Sequence, residues 1–291
     1  MPKAPVSALR ICKITADCAL YEEDLLVTEE PLAIRLAYSV AGERLQRDLA
    51  VTMRTPGNDR ELTLGFLFCE GIIQKPEDVY SIRDCPASEN PQSAGNTLKV
   101  NLAEHVLVPG GLFQRYSFIS SSCGICGKTS LDSITAPVRD ISKSEDISVP
   151  AKIIMELSDA VIRKQRVFVR TGGIHAAALF DTKGTLLGLM EDIGRHNAVD
   201  KLIGMFFERS LLPLNEAVLF LSGRASFELL QKAAMAGLKI VCAVGAPSSL
   251  AVECAFKFHI TLIGFLRPGR FNIYSGQHRI RCNHVLQAEL N

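Results

Sequence analysis

Two cysteines stand three residues apart in Cys123-Gly124-Ile125-Cys126-Gly127, each followed by glycine. Ser120, Ser121 and Ser122 precede them, and Lys128, Thr129 and Ser130 follow. Small, polar neighbours of this kind place the thiols on an exposed loop and not in a core. A thiol reacts as its thiolate, and Lys128 with nearby backbone N–H groups can lower the pKa of Cys123 or Cys126. Glycine after each cysteine leaves the sulfur open to a large partner. A persulfide carrier needs a nucleophilic sulfur, a mobile arm and little steric cover. A second thiol can protect, resolve or assist the transfer. Other uses compete. A CxxC pair can be half of a zinc site, but no second CxxC is present, and Cys85, Cys242, Cys254, Cys282 and the histidines could complete one only through folding. A thioredoxin-like redox pair opens a helix directly after a strand, whereas this pair follows serines.

Three polar constellations lie further along. Ser222-Gly223-Arg224-Ala225-Ser226 follows an apolar run and opens a helical one. Its glycine permits close backbone approach, its serines can cap, and a helix start there favours an anion such as phosphate. Gly245-Ala246-Pro247-Ser248-Ser249 repeats the arrangement. If the two strands are neighbours, both turns share one sheet edge, where open α/β sheets bind ligands. The second constellation joins Thr171-Gly172-Gly173-Ile174-His175 to Glu191-Asp192-Ile193-Gly194-Arg195-His196-Asn197. Charges and imidazoles crowded at element ends suit either a site or a capping and salt-bridge network. In the third, Phe265-Leu266-Arg267-Pro268-Gly269-Arg270, two arginines flank a Pro-Gly turn. Guanidinium forks match phosphate oxygens, and a solvated turn is the plainer alternative.

The elements that must carry these groups are legible in outline. Residues 25–55 read as strands, with Leu32, Ile34 and Leu36 alternating, Leu49, Val51 and Met53 alternating, and Gly42 at the turn. Asn58 or Asp59 can cap a helix over Leu62–Phe68 that ends at Gly71. Pro76–Val79 starts a short element, 85–97 is a surface loop, and Leu98, Val100 and Leu102 form a strand. A long connector holds the thiol pair. Beyond Pro150, a helix from Ile153 leads to strands at Val167–Val169, Ala176–Phe180 and Leu186–Met190, with a hairpin turn at Asp181–Gly184. Helix is expected over Asn197–Glu208, and Glu191 to His196 should lie before it. Strand and helix then alternate: 217–221, 227–236, 239–244, 248–256 and a final strand over 261–266. That alternation argues for an α/β layer with parallel pairing.

With 291 residues, two domains or one large one are expected. Lys plus Arg against Asp plus Glu gives 32 − 31 = +1, so any anionic ligand must be held by local arginines, and no nucleic-acid partner is expected. The N-terminal residues lack a signal peptide's apolar centre, and Lys239, Glu253 and Lys257 interrupt the most apolar region. A cytoplasmic protein without a membrane span is expected. Nine cysteines, scattered and odd in number, suit free thiols.

Several motifs occur in a fixed order. They are Thr55-Pro56-Gly57, Leu64-Gly65-Phe66-Leu67, Glu70-Gly71, Ser122 to Gly127, Thr171 to His175, Glu191 to Lys201, and Ser222-Gly223-Arg224. Through them most of the chain resembles the FdhD/NarQ family of sulfur carriers required for formate dehydrogenase activity. The resemblance implies an α/β fold (α+β overall): a smaller N-terminal α+β domain over 1–118, a CxxC connector over 119–148, and a larger cytidine-deaminase-like three-layer domain over 149–291. It implies a sulfurtransferase that accepts persulfide sulfur from a cysteine desulfurase. The sulfur passes to the molybdenum or tungsten bis-pterin guanine dinucleotide cofactor before insertion into formate dehydrogenase. Cys123 would be the carrier and Cys126 its partner. Phe265, Leu266, Arg267, Pro268, Gly269 and Arg270 match the family's cofactor-binding stretch, with His175, Arg195, Ser222, Gly223 and Arg224 as further holders. A homodimer is implied. The zinc deaminase signature is absent, since Pro247 is followed by serines, so neither deamination nor a resident metal is expected. The alternatives are an insertion chaperone without sulfur chemistry and a structural zinc-binding protein.

Overall fold

The computed structural model describes residues 4–85, 95–108, 113 and 147–282. In chain order come strands β1 Val6–Ile14, β2 Ala19–Val27, β3 Glu30–Val40 and β4 Glu43–Arg54, helix α1 Asp59–Cys69, a 3₁₀ turn Pro76–Asp78, β5 Val79–Asp84 and β6 Thr97–Leu102. Next are β7 Val149–Pro150, α2 Ala151–Ile162, α3 Phe168–Thr171, β8 His175–Asp181, β9 Leu186–Asp192 and α4 Arg195–Glu208. The remainder holds β10 Ala217–Leu221, α5 Phe227–Met235, β11 Ile240–Ala243, α6 Ser249–Lys257, β12 Thr261–Arg267, β13 Arg270–Ser275 and β14 Ile280–Arg281. These mixed α/β elements cluster into two compact units that interleave in sequence. The first takes the described residues up to 113 with 165–177 and 190–212, and the second takes 147–164, 178–189 and 213–282.

In the first unit a four-stranded sheet runs β4-β3-β6-β5. Strands β3 and β4 form a hairpin through Ala41 and Gly42, both at positive φ (51° and 85°), the geometry of a two-residue turn that matches strand twist. Leu32, Ile34 and Leu36 alternate into the core as expected and are almost fully buried. The expected alternation in β4 fails. A register shift opposite Ile34/Arg35 leaves Leu49 bulged and buried, while Val51 and Met53 are exposed. One extra residue in a strand sends the residues beyond it to the other face.

Helix α1 buries Leu62, Leu64, Leu67 and Phe68. Asn58 occupies its N-cap position, but its amide donates to Glu61 (3.1 Å) and not to the helix backbone. At the other end Gly71 N–H donates to Phe68 O and Ile72 N–H to Leu67 O, closing the helix on a left-handed glycine. Helices α1 and α4 cross at Gly65 and Gly204. A Cβ on Gly65 would overlap the Asp200 carbonyl, and one on Gly204 would overlap the Glu61 carbonyl. The helices therefore meet backbone to backbone, with Phe68 and Phe207 packed beside the crossing at 5.3 Å. Strands β1 and β2 make a separate two-stranded ribbon that is exposed on both faces.

A six-stranded sheet, most of whose residues belong to the second unit, runs β13-β12-β11-β10-β8-β9. Strands β10, β11 and β12 are parallel, with Val218 opposite Ile240 and Ile240 opposite Thr261. Both faces of β10 and β11 are buried, which is why they read as unbroken apolar runs. The turn between β8 and β9 is held by Asp181, whose carboxylate accepts the N–H groups of Lys183 and Thr185. No helix among the described residues is long and apolar enough to cross a membrane.

Three expectations are corrected. Val167–Val169 is not a strand. The Glu191 carboxylate accepts the N–H groups of Val167 (3.0 Å) and Phe168 (2.9 Å), starting the short helix α3, which ends at left-handed Gly172. Helix α4 starts at Arg195, so Arg195 and His196 lie in its first turn and not before it. Strand β12 is not the last. The chain folds back antiparallel into β13, and β14 pairs with β7. Most of the 119–148 connector, including Cys123 and Cys126, and most of the 85–97 loop lie outside the described residues.

Candidate functional site

In the second unit the carboxyl ends of β10, β11 and β12 bring three sequence motifs to one edge. Gly245 N–H donates to Gly223 O (2.9 Å), Ser248 N–H to Ala225 O (3.0 Å) and Phe265 N–H to Gly245 O (3.1 Å). The Ser222, Gly245 and Phe265 segments are thus stitched together by main-chain bonds. Glycine is needed for that closeness. A Cβ on Gly245 would lie 2.9 Å from Arg224 Cγ, and one on Gly264 would lie 2.8 Å from Pro247 Cδ and 3.0 Å from Tyr274. Helices α5 and α6 both start from this edge, and the Ser248 hydroxyl caps α6 at Ala251 N–H. Partial positive charge from two helix starts therefore faces the same margin as exposed Arg224, Arg267 and Arg270.

Arg267 is oriented by the fold. Its Nη1 donates to Val244 O (2.7 Å) and Leu266 O (2.8 Å). Arg267 pairs with Arg270 across the Pro268-Gly269 turn, with Gly269 at φ 79°. A bulge between Gly264 and Arg267 puts Phe265 at φ 52°, a conformation that side chains rarely adopt, and leaves its ring half exposed. Strain and an exposed aromatic ring at a ligand-type edge are marks of a functional position. Seated together here are Ser222, Gly223, Arg224, Phe265, Leu266, Arg267, Pro268, Gly269 and Arg270. Leu266 differs from the rest in being fully buried, a core anchor for the turn. Gly264 and Tyr274 were missed, although a glycine inside a strand signals close backbone approach.

His175 and Arg195 belong to the first unit, where a buried network sets the backbone around them. Asp192, fully buried, takes four donors on its two carboxylate oxygens. Thr55 N–H (3.1 Å) and Lys201 Nζ (2.7 Å) reach one, and Gly194 N–H (2.8 Å) and Asn197 Nδ2 (3.1 Å) reach the other. Lys201 also donates to Thr55 O (2.8 Å), and Asn197 to Met53 O (2.7 Å). Thr52 Oγ1 donates to Asn197 Oδ1, and Ile193 N–H to Thr55 Oγ1. Sequence showed the Thr55-Pro56-Gly57 and Glu191–Lys201 motifs separately. Asp192 is what joins them. Its charge is paired with Lys201 and its lone pairs are occupied, so Asp192 and Lys201 are structural, and what they present is the first turn of α4. There Arg195 and His196 act on His175. Burial, then the charges of Arg195 and His196, hold its pKa below the ordinary imidazole value, against a smaller upward pull from Asp192.

The described thiols divide cleanly. Cys69, Cys85, Cys242 and Cys254 are buried, and Cys12, Cys18 and Cys282 are exposed. Burial pushes the Cys254 thiol up to about 12 and Cys242 higher still, which removes their nucleophilicity at neutral pH. Among the described residues no group of three or more His, Cys, Asp or Glu side chains is placed to hold a metal ion.

Comparison with known proteins places the chain in a group. The sequence model of the FdhD/NarQ family matches residues 27–281. Proteins named sulfur carrier protein FdhD are similar over nearly the whole chain. That of Streptomyces avermitilis is 43% identical over 273 residues, covering 93% of this chain and 94% of the relative. That of Mycolicibacterium paratuberculosis is 45% identical over 275 residues, covering 94% and 98%. A crystal structure from Desulfotalea psychrophila, assigned as a formate dehydrogenase accessory protein, shares the fold with a TM-score of 0.72 at 23% identity, covering 95% of this chain and all of that one.

Proposed function

This chain belongs to the FdhD/NarQ family, and we propose that it is a sulfurtransferase that carries sulfur in the cytoplasm from a cysteine desulfurase to the molybdenum or tungsten bis-pterin guanine dinucleotide cofactor of formate dehydrogenase. What supports the reading is the family match over residues 27–281, which spans the Cys123 and Cys126 pair, with relatives named sulfur carriers at 43% and 45% identity. The cofactor is the substrate here. Its phosphates suit the edge formed by Ser222–Arg224, Gly245 and Phe265–Arg270, where two helix starts and the exposed Arg224, Arg267 and Arg270 meet.

The chemistry needs two exchanges. The Cys123 thiolate attacks the outer sulfur of the desulfurase persulfide. A new S–S bond forms on Cys123, and the desulfurase cysteine leaves as a thiolate. At the cofactor, the Cys126 thiolate attacks Sγ of Cys123. The bond to the outer sulfur breaks, that sulfur departs to the metal as hydrosulfide with the electron pair, and a Cys123–Cys126 disulfide remains. An external thiol then reduces the disulfide.

The test is incubation with a desulfurase and isotope-labelled cysteine, followed by peptide mapping for the mass of one added sulfur atom. The adduct is expected on Cys123 and should vanish in Cys123→Ala. Undiminished label in that variant would refute carriage by Cys123. Formate dehydrogenase activity that survives loss of both thiols would mark an insertion chaperone instead.

A further inference from the structure

We propose that the outer face of the sheet β4-β3-β6-β5 docks the sulfur-donating protein, through a helix of that protein that bears acidic side chains. The choice of the donor rests on the carrier function proposed above; the fit to an acidic helix does not.

Register places a line of cations on this face. Arg83 on β5 is opposite Lys99 on β6, and Lys99 is opposite Arg35 on β3. Their neighbours along the strands, Ile82, Leu98 and Ile34, point the other way, and Ile82 and Leu98 pack with Leu62 of α1. Like charges directly opposite one another in a sheet are destabilising. The fold relieves one of the three, since Arg35 is paired with Asp48 on β4 (2.5 Å). Among the described residues Arg83 and Lys99 have no ion pair, and Arg83 is exposed while Lys99 is half-buried. Arg44 joins them on the same face, its Nη1 donating to Leu102 O (3.1 Å) and Ser39 Oγ (3.4 Å). Across the four strands the face carries four basic residues and one acid, in a chain whose net charge is only +1. An acidic occupant would turn this repulsive row into an attractive one.

Spacing selects a helix. Neighbouring strands lie about 4.8 Å apart, so the row presents one cation at each such step. Side chains three or four residues apart on a helix are about 5–6 Å from one another, which matches. Alternate side chains of an extended segment are about 6.6 Å apart, which does not. A nucleic-acid backbone fits less well, because the row is short and ends on the carboxylate of Asp48. The acidic strand of a second copy is also a poor occupant. Its Glu22 is already paired with Lys13 (3.0 Å), and its Glu23 is opposite Arg10. The donor is favoured over the client enzyme by position. The edge suited to the cofactor belongs to the second unit and this face to the first, and β6 is the strand from which the chain runs on toward Cys123.

The test measures binding of the full-length chain to a purified cysteine desulfurase at rising salt, beside thermal melts. Arg83→Glu and Lys99→Glu, made singly, should each weaken binding by about tenfold or more, chiefly by slowing association, and should reduce its salt dependence. Each also sets a carboxylate opposite a cation, so melting temperature should hold or rise. Binding and stability moving in opposite directions separates docking from a structural role. Carbodiimide should couple Lys99 to an Asp or Glu on a helix of the desulfurase, as peptide mapping would show. A desulfurase that does not bind the native chain, or binds both variants equally well, would overturn the inference. So would coupling of Lys99 to a second copy, or an oligonucleotide that binds the native chain and not Lys99→Glu. Sulfur on Cys123 is read in the same samples. Binding lost in the variants, with no sulfur on native Cys123, sinks the carrier reading and leaves the docking face standing. Sulfur on Cys123 with unaltered binding does the reverse.

Discussion

His175 is the residue whose ionisation is most informative. Burial and the charges of Arg195 and His196 lower its pKa in the fold from the ordinary 6.5. The unfolded chain therefore binds the proton more readily than the folded one. The stability tied to the neutral ring is fully present above the ordinary value and is lost as pH falls through the lowered one. Acidification across that window should destabilise the native chain more than His175→Gln, as read by urea unfolding at a series of pH values. Parallel pH profiles for the two would show that the surrounding charges do not act on the ring. At this scale the sequence displayed the participants but not their roles. Glu191, Asp192, Arg195 and His196 are near neighbours in the chain, yet Glu191 caps α3, Asp192 is saturated inside, and Arg195 keeps a donor without an acceptor. Only three-dimensional placement separates a saturated carboxylate from a guanidinium whose Nε lacks an acceptor.

Helix α1 and helix α4 meet through glycine on both sides, so an added methyl has only carbonyl groups to push against. Gly65→Ala is expected to lower stability by an amount at or above the top of the roughly 1–3 kcal/mol usual for overpacking. Thermal and urea melts measure it; a neutral outcome would mean that the helices can separate at little expense. The elements themselves were largely legible. Strands buried on both faces announce themselves as apolar runs, as at 217–221 and 240–243, and β3 shows its alternation because one face packs on a core. What failed did so for local reasons. Val167-Phe168-Val169 carries strand-forming side chains, but Val169 is exposed and the backbone is turned into a helix by a carboxylate 24 residues away, at Glu191. The ribbon β1–β2 escaped notice because neither face is buried, so nothing imposes a two-residue period on Val6–Ile14 or Ala19–Val27.

Across the whole chain, seven of the nine cysteines lie in the described residues, four buried and three exposed. An alkylating reagent should modify Cys12, Cys18 and Cys282 rapidly in the native chain and reach Cys69, Cys85, Cys242 and Cys254 only after unfolding, as peptide mapping would reveal. Prompt native labelling of Cys242 would contradict its burial within β11. The same three exposed thiols will also take up sulfur from small persulfide donors, so total label is no measure of Cys123. The meeting of the Ser222 and Gly245 turns was foreseen because adjacent parallel strands must end their turns side by side. The pairing of the Thr55 and Asp192 segments was not foreseeable, since it depends on a contact between residues 137 apart in the chain. The glycine crossing has one further bearing. Gly204 lies nine residues from Arg195 along one rigid helix, about 13 Å at the usual rise. Clamped there without any compressible side chain between the two rods, the shaft of α4 can neither slide nor roll. The first turn of that helix, carrying Arg195 and His196, is thereby held at a fixed height beside α1.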